Sequence, residues 1–485
     1  MSLAAPYRSR PFAFALAILA GLAATACTVG PDYVAPHTES ETTADWATPL
    51  GSRADSQASA IDLAWWQRFE DPLLTDYIER AIAENPGIEA ARARIEGARA
   101  ARGESRAPWL PSLDAEARRS REGTSGATSN PNNSGNTRSS NSGILSASWE
   151  LDFFGRTRRA VEAADARLDR AVEDRRTLVL ATVAEVARAY HEIRGTQKQI
   201  AITQKNVELQ TRTVELVENL FASGEASEFD LSRARGQLQV TRARLPDLDA
   251  ELLAGIYRLG PLLGQAPGTL REEMIQPHSL PSPPELIPIG APSEILRRRP
   301  DIRSAERELA ATNADIGVAT AELFPRFTLL GNVGRIAASS RDLNSSLADS
   351  YGFTQLVDWP IFQGGALRAR ISLSEAAAQM ATANYEATVL AALADAETAL
   401  VRYLRKLDTR AALADAVENR QRSVELARAL FDAGEEDFLA VLDAERELLA
   451  TENELVLSET NSILNLITLY AALGGGWEVF EASPE

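Results

Sequence analysis

The 485-residue chain has almost no cysteine, histidine or methionine: one Cys, three His and three Met. A single thiol, Cys27, forbids any intramolecular disulfide. The histidines, His37, His191 and His278, are far apart and lack metal-ligand spacing. No HExxH, CxxC, GxGxxG or GxxxxGK[ST] pattern occurs, so nothing points to metal hydrolysis, dithiol redox chemistry or nucleotide binding. Positive charge is also short, with 50 Lys and Arg against 68 Asp and Glu, a formal charge of −18 and a pI near 4.9. Nucleic-acid binding needs clustered cations and is therefore not expected. What the chain has is apolar content, 45%, enough for a large ordered core.

The first 26 residues read as an export signal. Arg8 and Arg10 open it, and an apolar stretch from Pro11 to Ala24 follows. That stretch is shorter than the ~20 residues a membrane span needs and has the shape of a cleavable signal. Ala24, Thr25 and Ala26 then precede Cys27, which resembles the lipobox of bacterial lipoproteins. The resemblance implies that Cys27 is lipidated and becomes the mature N-terminus, with Thr28 directing the product to the outer membrane. Residues 27–60 form the lipidated segment and a small, polar linker from Gly51 to Ala60.

The remainder is a long internal duplication. LFASGEASEFDLSRARGQL from Leu220 matches LFDAGEEDFLAVLDAEREL from Leu430 at an offset of 210. The same offset relates Trp149 to Trp359, Gly155 to Gly365 and Leu263-Gly264 to Leu473-Gly474. Upstream the offset is 214, relating Pro86 to Pro300 and Trp109-Leu110-Pro111 to Leu323-Phe324-Pro325. This period is domain-sized, far beyond a solenoid unit. The first repeat covers 61–265 and the second 296–475. Residues 266–295, with seven prolines, connect them, and 476–485 form a tail.

Each repeat reads as a helix, two strands, a long helix and a shorter one, six helices and four strands in all. The first helices run from about Pro86 to Ala107 and Asp301 to Leu323. In LSASWELDF, Leu145, Ala147, Trp149, Leu151 and Phe153 alternate with polar residues, the period of a strand with one apolar face. Tyr351, Phe353, Val357, Trp359 and Ile361 repeat the pattern, with Gln355 as an exception. Partner strands begin after Pro111 and Pro325, giving hairpins over about 111–153 and 326–362; a Gly/Ser/Asn-rich loop interrupts the first. Such hairpins fit a transmembrane barrel. Between about Thr157 and Phe221 there is no proline, and apolar residues from Val179 through Val217 recur at steps of three, four or seven. That is coiled packing along a rod of roughly 100 Å. Leu367 to Phe431 matches it, and shorter helices follow over about Ser227–Leu263 and Asp437–Leu473. A first helix and a shorter one together nearly equal the long helix in length, which lets two short helices stack end to end beside each long one.

Four strands cannot close a barrel, for which about eight is the practical minimum. Open strand edges are not tolerated in lipid, so two or more chains must combine in a ring.

CTVGPDYVAP from Cys27, the Trp65-Trp66 pair, the repeated Leu-Phe-x-x-Gly turns and VLDAE from Val441 resemble the outer-membrane factor family, in particular its lipid-anchored TolC/OprM-like channels. The resemblance implies an α+β membrane protein: a homotrimer with a 12-stranded barrel, four strands per chain, continued by a periplasmic α-helical barrel. It implies an outer-membrane, lipid-anchored channel of a tripartite efflux pump, a passive conduit for drugs, other small solutes or metal ions. Partners would be a periplasmic adaptor, an inner-membrane transporter of the proton-driven resistance-nodulation-division type, and outer-membrane lipid. No enzymatic activity and no cofactor are expected beyond the N-acyl and S-diacylglycerol groups on Cys27. A protein-secretion channel and a non-porous coiled-coil lipoprotein are the alternatives; the second leaves the duplicated hairpins unexplained.

A conduit needs a gate, expected where the helix pairs turn. Gly224 and Gly434 occupy the helix C-terminal position that favours a left-handed backbone. Asp432, Glu435, Glu436 and Asp437 crowd the second turn and would become rings of carboxylates in a cyclic assembly. By resemblance, Asp443 is the aperture aspartate, with Arg233 as its counterpart in the first repeat and Ala440 at a second aperture position. Also by resemblance, Gly224, Ala226, Ser227 and Gly434 belong to the turns that the adaptor grips, and the proline-rich connector to a belt around the tunnel.

Overall fold

A computed structural model describes residues 28–36, 45–51, 53–55, 63–123, 137–284 and 286–481. The signal segment, Cys27, part of the 51–60 linker, the polar loop 124–136 and the last four residues lie outside the described residues. The strands are β1 (Ala54–Asp55), β2 (Ser112–Gly123), β3 (Thr137–Leu151), β4 (Ile287–Pro288), β5 (Arg326–Ala337) and β6 (Asp349–Asp358). The helices are α1 (Pro72–Glu84), α2 (Pro86–Arg106), α3 (Arg156–Ser223), α4 (Glu228–Leu262), the single turn α5 (Arg271–Met274), α6 (Pro292–Arg298), α7 (Pro300–Ala321), α8 (Ala366–Asp432) and α9 (Phe438–Ala472).

The two rods, α3 and α8, have 68 and 67 residues. At ~1.5 Å per residue each is about 100 Å long. The six-helix reading leaves out α1, α5 and α6. Helix α1 is separated from α2 only by Asn85, whose place before Pro86 holds it extended at ψ 121°. The connector is likewise not featureless, since it contains α5, β4 and the start of α6. No described helix is long and apolar enough to cross a membrane.

The chain divides into two compact units. The described residues of the first fall within 28–36, Arg94–Ala171 and Ala305–Tyr385. It contains a four-stranded antiparallel sheet in the order β2-β3-β5-β6, with β2 and β6 at the edges. The register places odd-numbered residues in common rows on one face. From the end where the helices depart, these rows are Leu151-Phe327-Val357, Trp149-Leu329-Gln355, Leu113-Ala147-Gly331-Phe353 and Ala115-Leu145-Val333-Tyr351. The even-numbered face carries Asp114, Glu116, Ser146, Ser148, Glu150, Thr328 and Asn332. Gln355 thus interrupts these four otherwise apolar rows at a single point. Tyr351 is 88% and Phe353 69% exposed, so none of the described residues covers that face there.

The strand–helix junction is braced by aromatic contacts. Phe153 meets Phe327 edge-on with ring centroids 5.0 Å apart, and Phe154 stacks on Phe324 at 4.7 Å. Residues 28–36 are strapped across this junction. Arg159, whose side chain is 5% exposed, donates to Asp32 at 2.6 Å, to the Val29 carbonyl at 3.2 Å and to Glu162 at 2.8 Å. Tyr33 donates to Glu306 at 3.1 Å, and Asn313 to the Pro31 carbonyl at 3.2 Å. A Cβ on Gly30, which has φ +91°, would collide with the backbone of Gly317 on α7. The strap therefore needs glycine for both conformation and clearance.

The second unit takes in His37–Ala93, Val172–Ser304 and Glu386–Glu485. Its main core includes Trp65, Trp66, Tyr77, Ile78, Val183, Tyr190, Tyr403, Ile463, Ile467 and Tyr470. Trp65 stacks on Tyr470 at 5.3 Å and Trp66 on Phe480 at 5.5 Å. The heptad residues Val179, Val183, Val186, Tyr190, Ile193, Val214 and Val217 are buried, whereas Phe221 at the end of the series is exposed. The joints between short helices also lie here. Asn85 caps α2 by accepting from Gly87 N at 2.8 Å and donates its amide to the Leu262 carbonyl at the end of α4, at 2.9 Å. In the second repeat, Arg299 before α7 donates to the Ala472 carbonyl at the end of α9, at 3.3 Å. Each short helix thus ends against the start of another, in line with the length comparison drawn from sequence.

Candidate functional site: the helix turns and the seam behind them

Both turns between long and short helices are built alike. Gly224 has φ +82° and Gly434 φ +73°, the left-handed conformation that ends a helix without a Cβ penalty. Each is followed by an amide that reaches back into the long helix. Glu225 N donates to the Leu220 carbonyl at 2.8 Å and Glu435 N to the Leu430 carbonyl at 2.9 Å. Ser227 then starts α4 with a capping box, its hydroxyl accepting from Asp230 N at 3.2 Å while Asp230 accepts from Ser227 N at 3.1 Å. Asp437 starts α9 by accepting from Leu439 N at 3.3 Å.

The two turns differ in surface. At the first, Gly224, Ser227 and Glu228 are exposed and Ala226 is half-buried. At the second, Asp432, Glu435, Glu436 and Asp437 are all exposed. Asp443 lies on the exposed side of α9, 53% exposed, with an ion pair to Arg446 at 3.4 Å. Ala440 is half-buried. Arg233 lies over the Phe229 ring at 5.5 Å. Beneath the turns, Val214, Val217, Leu231, Ala234, Leu238, Phe438, Val441 and Leu442 form one apolar cluster, which brings the two helix pairs together at this end.

Behind that cluster runs a polar seam between α3 and α9 that sequence reading missed. Glu445 is 1% exposed, and one of its oxygens accepts from Thr213 at 3.1 Å and from Arg428 at 2.7 Å. Further along, Asn206 donates to Glu452 at 3.1 Å, Lys198 pairs with Glu459, and Arg188 donates to Thr468 at 2.7 Å. Glu445, Glu452 and Glu459 recur every seven residues, which keeps them on one helix stripe. That spacing is the signal that could have revealed the seam. Among the described residues no group of His, Cys, Asp and Glu is placed to hold a metal ion.

The outer membrane efflux protein family model matches residues 77–265 and 291–475, one stretch for each repeat. The chain belongs to that family. It is similar to nodulation protein T of Rhizobium leguminosarum bv. trifolii, with 32% identity over 93% of this chain and 95% of that protein. It is also similar to the toluene efflux pump outer membrane protein TtgI of Pseudomonas putida, with 30% identity over 98% of this chain and 99% of that protein. Among solved structures, the outer-membrane channel OprN superposes with a TM-score of 0.87 at 35% identity, covering 93% of this chain and 100% of that one. The efflux family member described here is an outer-membrane channel component with a periplasmic extension. Channels of this family are homotrimers that work with adaptor and inner-membrane pump partners. Three copies of the β2-β3-β5-β6 sheet make twelve strands, and closure of the ring pairs the edges that β2 and β6 leave open.

Proposed function

We propose that this channel is a passive, cofactor-free conduit for small organic solutes, served by a proton-driven inner-membrane pump of the resistance-nodulation-division type. TtgI, a relative over nearly its whole length, is named for toluene efflux. A conduit requires a path and a gate but no bond chemistry, and the end carrying the helix turns has the features of a gate. The observation that carries this reading is Asp443, an exposed carboxylate on α9 just beyond four exposed acids of the turn. In a threefold ring these become rings of negative charge, which repel one another, favour cations and narrow the entrance. The first turn is small and uncrowded at Gly224, Ala226 and Ser227, and with Gly434 it is the surface an adaptor grips.

The lipid anchor on Cys27 belongs to the same reading. Thr28, the next residue, packs on Gly155, and Val29 N donates to the Phe154 carbonyl at 3.2 Å, where β3 gives way to α3. An acyl chain attached one residue upstream would enter the bilayer beside the barrel wall.

Asp443→Ala trimers in planar bilayers are expected to show raised single-channel conductance; unchanged conductance would remove Asp443 from the gate. Replacement of Ala226 or Ser227 by Trp is expected to abolish export while trimers still assemble. Normal export by these variants would relocate the adaptor contact.

A further inference from the structure

The outward face of the sheet changes character at its far end. Its apolar rows run from Leu151 to Leu145, and the row of Gly143 begins eight steps from Leu151, about 26 Å along the strand or about 20 Å of height at the ~40° tilt of barrel strands, near the edge of the ~25 Å apolar band of an outer-membrane barrel. The next rows on that same face are Ala117-Gly143-Arg335-Asp349, Arg119-Asn141-Ala337 and Arg121-Ser139. Three arginines therefore stand on the lipid side, at and just beyond the band. Only one acid shares these rows, Asp349, and Arg335 already donates to it at 2.9 Å. Arg119 and Arg121 are exposed, and neither is ion-paired among the described residues. The opposite face holds a smaller excess: Arg138 stands directly across from Glu122, and Arg118 shares its row with Ser142 and Ile336. The adjoining sequence 124–136 contains no charged residue, so it supplies no counter-charge. In a chain with a net charge of −18, a cationic patch that is densest on the outward face is a local feature, not a product of composition.

We propose that Arg119, Arg121 and Arg335 bind the phosphate groups of a phosphorylated glycolipid in the outer leaflet, fixing each protomer's β2–β3 hairpin to the lipid around it. Guanidinium groups suit this partner because they pair phosphate oxygens bidentately and stay charged. Their height suits it as well: side chains just beyond the hydrocarbon band meet headgroups. The patch faces away from the conduit, so it contributes to lipid attachment and not to solute selection.

The test uses the intact lipidated trimer in detergent with purified lipopolysaccharide as probe. The trimer is expected to bind bisphosphorylated lipopolysaccharide more tightly than a phosphatase-treated preparation. Arg119→Ser/Arg121→Ser should weaken binding about 25-fold, fivefold per arginine by the figure for basic residues at an anionic membrane surface. Arg326→Ser, at the other end of the sheet on the inner face, should bind as wild type does. Equal wild-type affinity for intact and phosphate-stripped lipid would overturn the proposal, even if the double variant failed to assemble. Equal affinity of wild type and double variant would overturn it too, as would displacement of the lipid by millimolar inorganic phosphate, the mark of a free-anion site.

Discussion

Thr213 Oγ1 and the buried carboxylate of Glu445 are hydrogen-bonded at 3.1 Å, although 232 residues separate them in the chain. The bond joins the long helix of the first repeat to the short helix of the second, directly behind the turns. Arg428 shares the same carboxylate oxygen, and the other oxygen has no partner among the described residues. The two helix pairs are therefore held together at their ends by a polar knot as well as by apolar packing.

Glu445→Ala is expected to loosen this end by roughly 1–3 kcal/mol, since it removes the acceptor that Thr213 and Arg428 share and leaves Thr213 only the Leu209 carbonyl of its own helix. Glu445→Gln keeps an acceptor and should cost less. Hydrogen exchange of amides in 205–240 and 425–455 reads the difference directly. Protection equal to wild type in the alanine variant would show that the apolar cluster alone holds the pairs.

His191 sets a pH dependence. Its ring lies against Phe69 at 4.6 Å and Tyr190 at 5.4 Å, and neither nitrogen has a partner among the described residues. Burial holds its pKa down at about 3; Arg194 adds to the depression and Asp71 opposes it. Below the ordinary histidine pKa of ~6.5 the unfolded chain takes up a proton that the folded chain refuses until about pH 3. Stability is thus unaffected by this group above pH 6.5 and falls as the pH drops from there towards 3. At pH 4.5 the loss is on the order of 2 kcal/mol. His191→Phe should remove that part of the acid sensitivity, measured as the change in denaturant midpoint between pH 7 and 4.5. A variant that lost as much stability as wild type over that interval would refute the assignment.

Arg159→Ala should release the strap. The buried guanidinium holds Asp32 and the Val29 carbonyl, and no other cation is paired to Asp32 among the described residues. The expected outcome is protease cleavage within 28–36 under conditions where wild type is resistant. Arg159→Lys, which cannot span both partners with one planar fork, should be intermediate.

The helix joint at Asn85 gives a fourth test. Asn85→Ala removes the cap from Gly87 N and leaves the Leu262 carbonyl without its donor, a loss of about 1–2 kcal/mol. Asn85→Asp keeps the cap but not the donor, so its loss should be about half. Thermal unfolding of the purified trimer separates the three proteins.

Much of the architecture was legible in the sequence because it is written in local periods. The strand alternation at Leu145, Ala147 and Trp149 and the heptads from Val179 to Val217 each depend only on near neighbours, and the duplication lets one repeat check the other. The glycines of the turns were legible for the same reason. Helix α1 was not, because its boundary with α2 is a single residue and the eye stops at Pro86. Nor was the Glu445–Glu452–Glu459 seam. Glutamates every seven residues on a helix look like a solvated stripe, and their burial is imposed by α3, which the sequence does not place beside them. Arg159 is a similar case. The GPDY segment stands out, but its clasp lies some 130 residues on and carries no mark of its own.

The open edges of β2 and β6 have a consequence for genetics. A chain whose edge cannot pair does not fail alone, because it spoils any ring that admits it. If such a variant and the wild type were expressed equally and mixed at random in threes, only about one ring in eight would be free of it. Edge-strand alleles in this protein should therefore be dominant, whereas alleles that prevent a chain from reaching the membrane should be recessive.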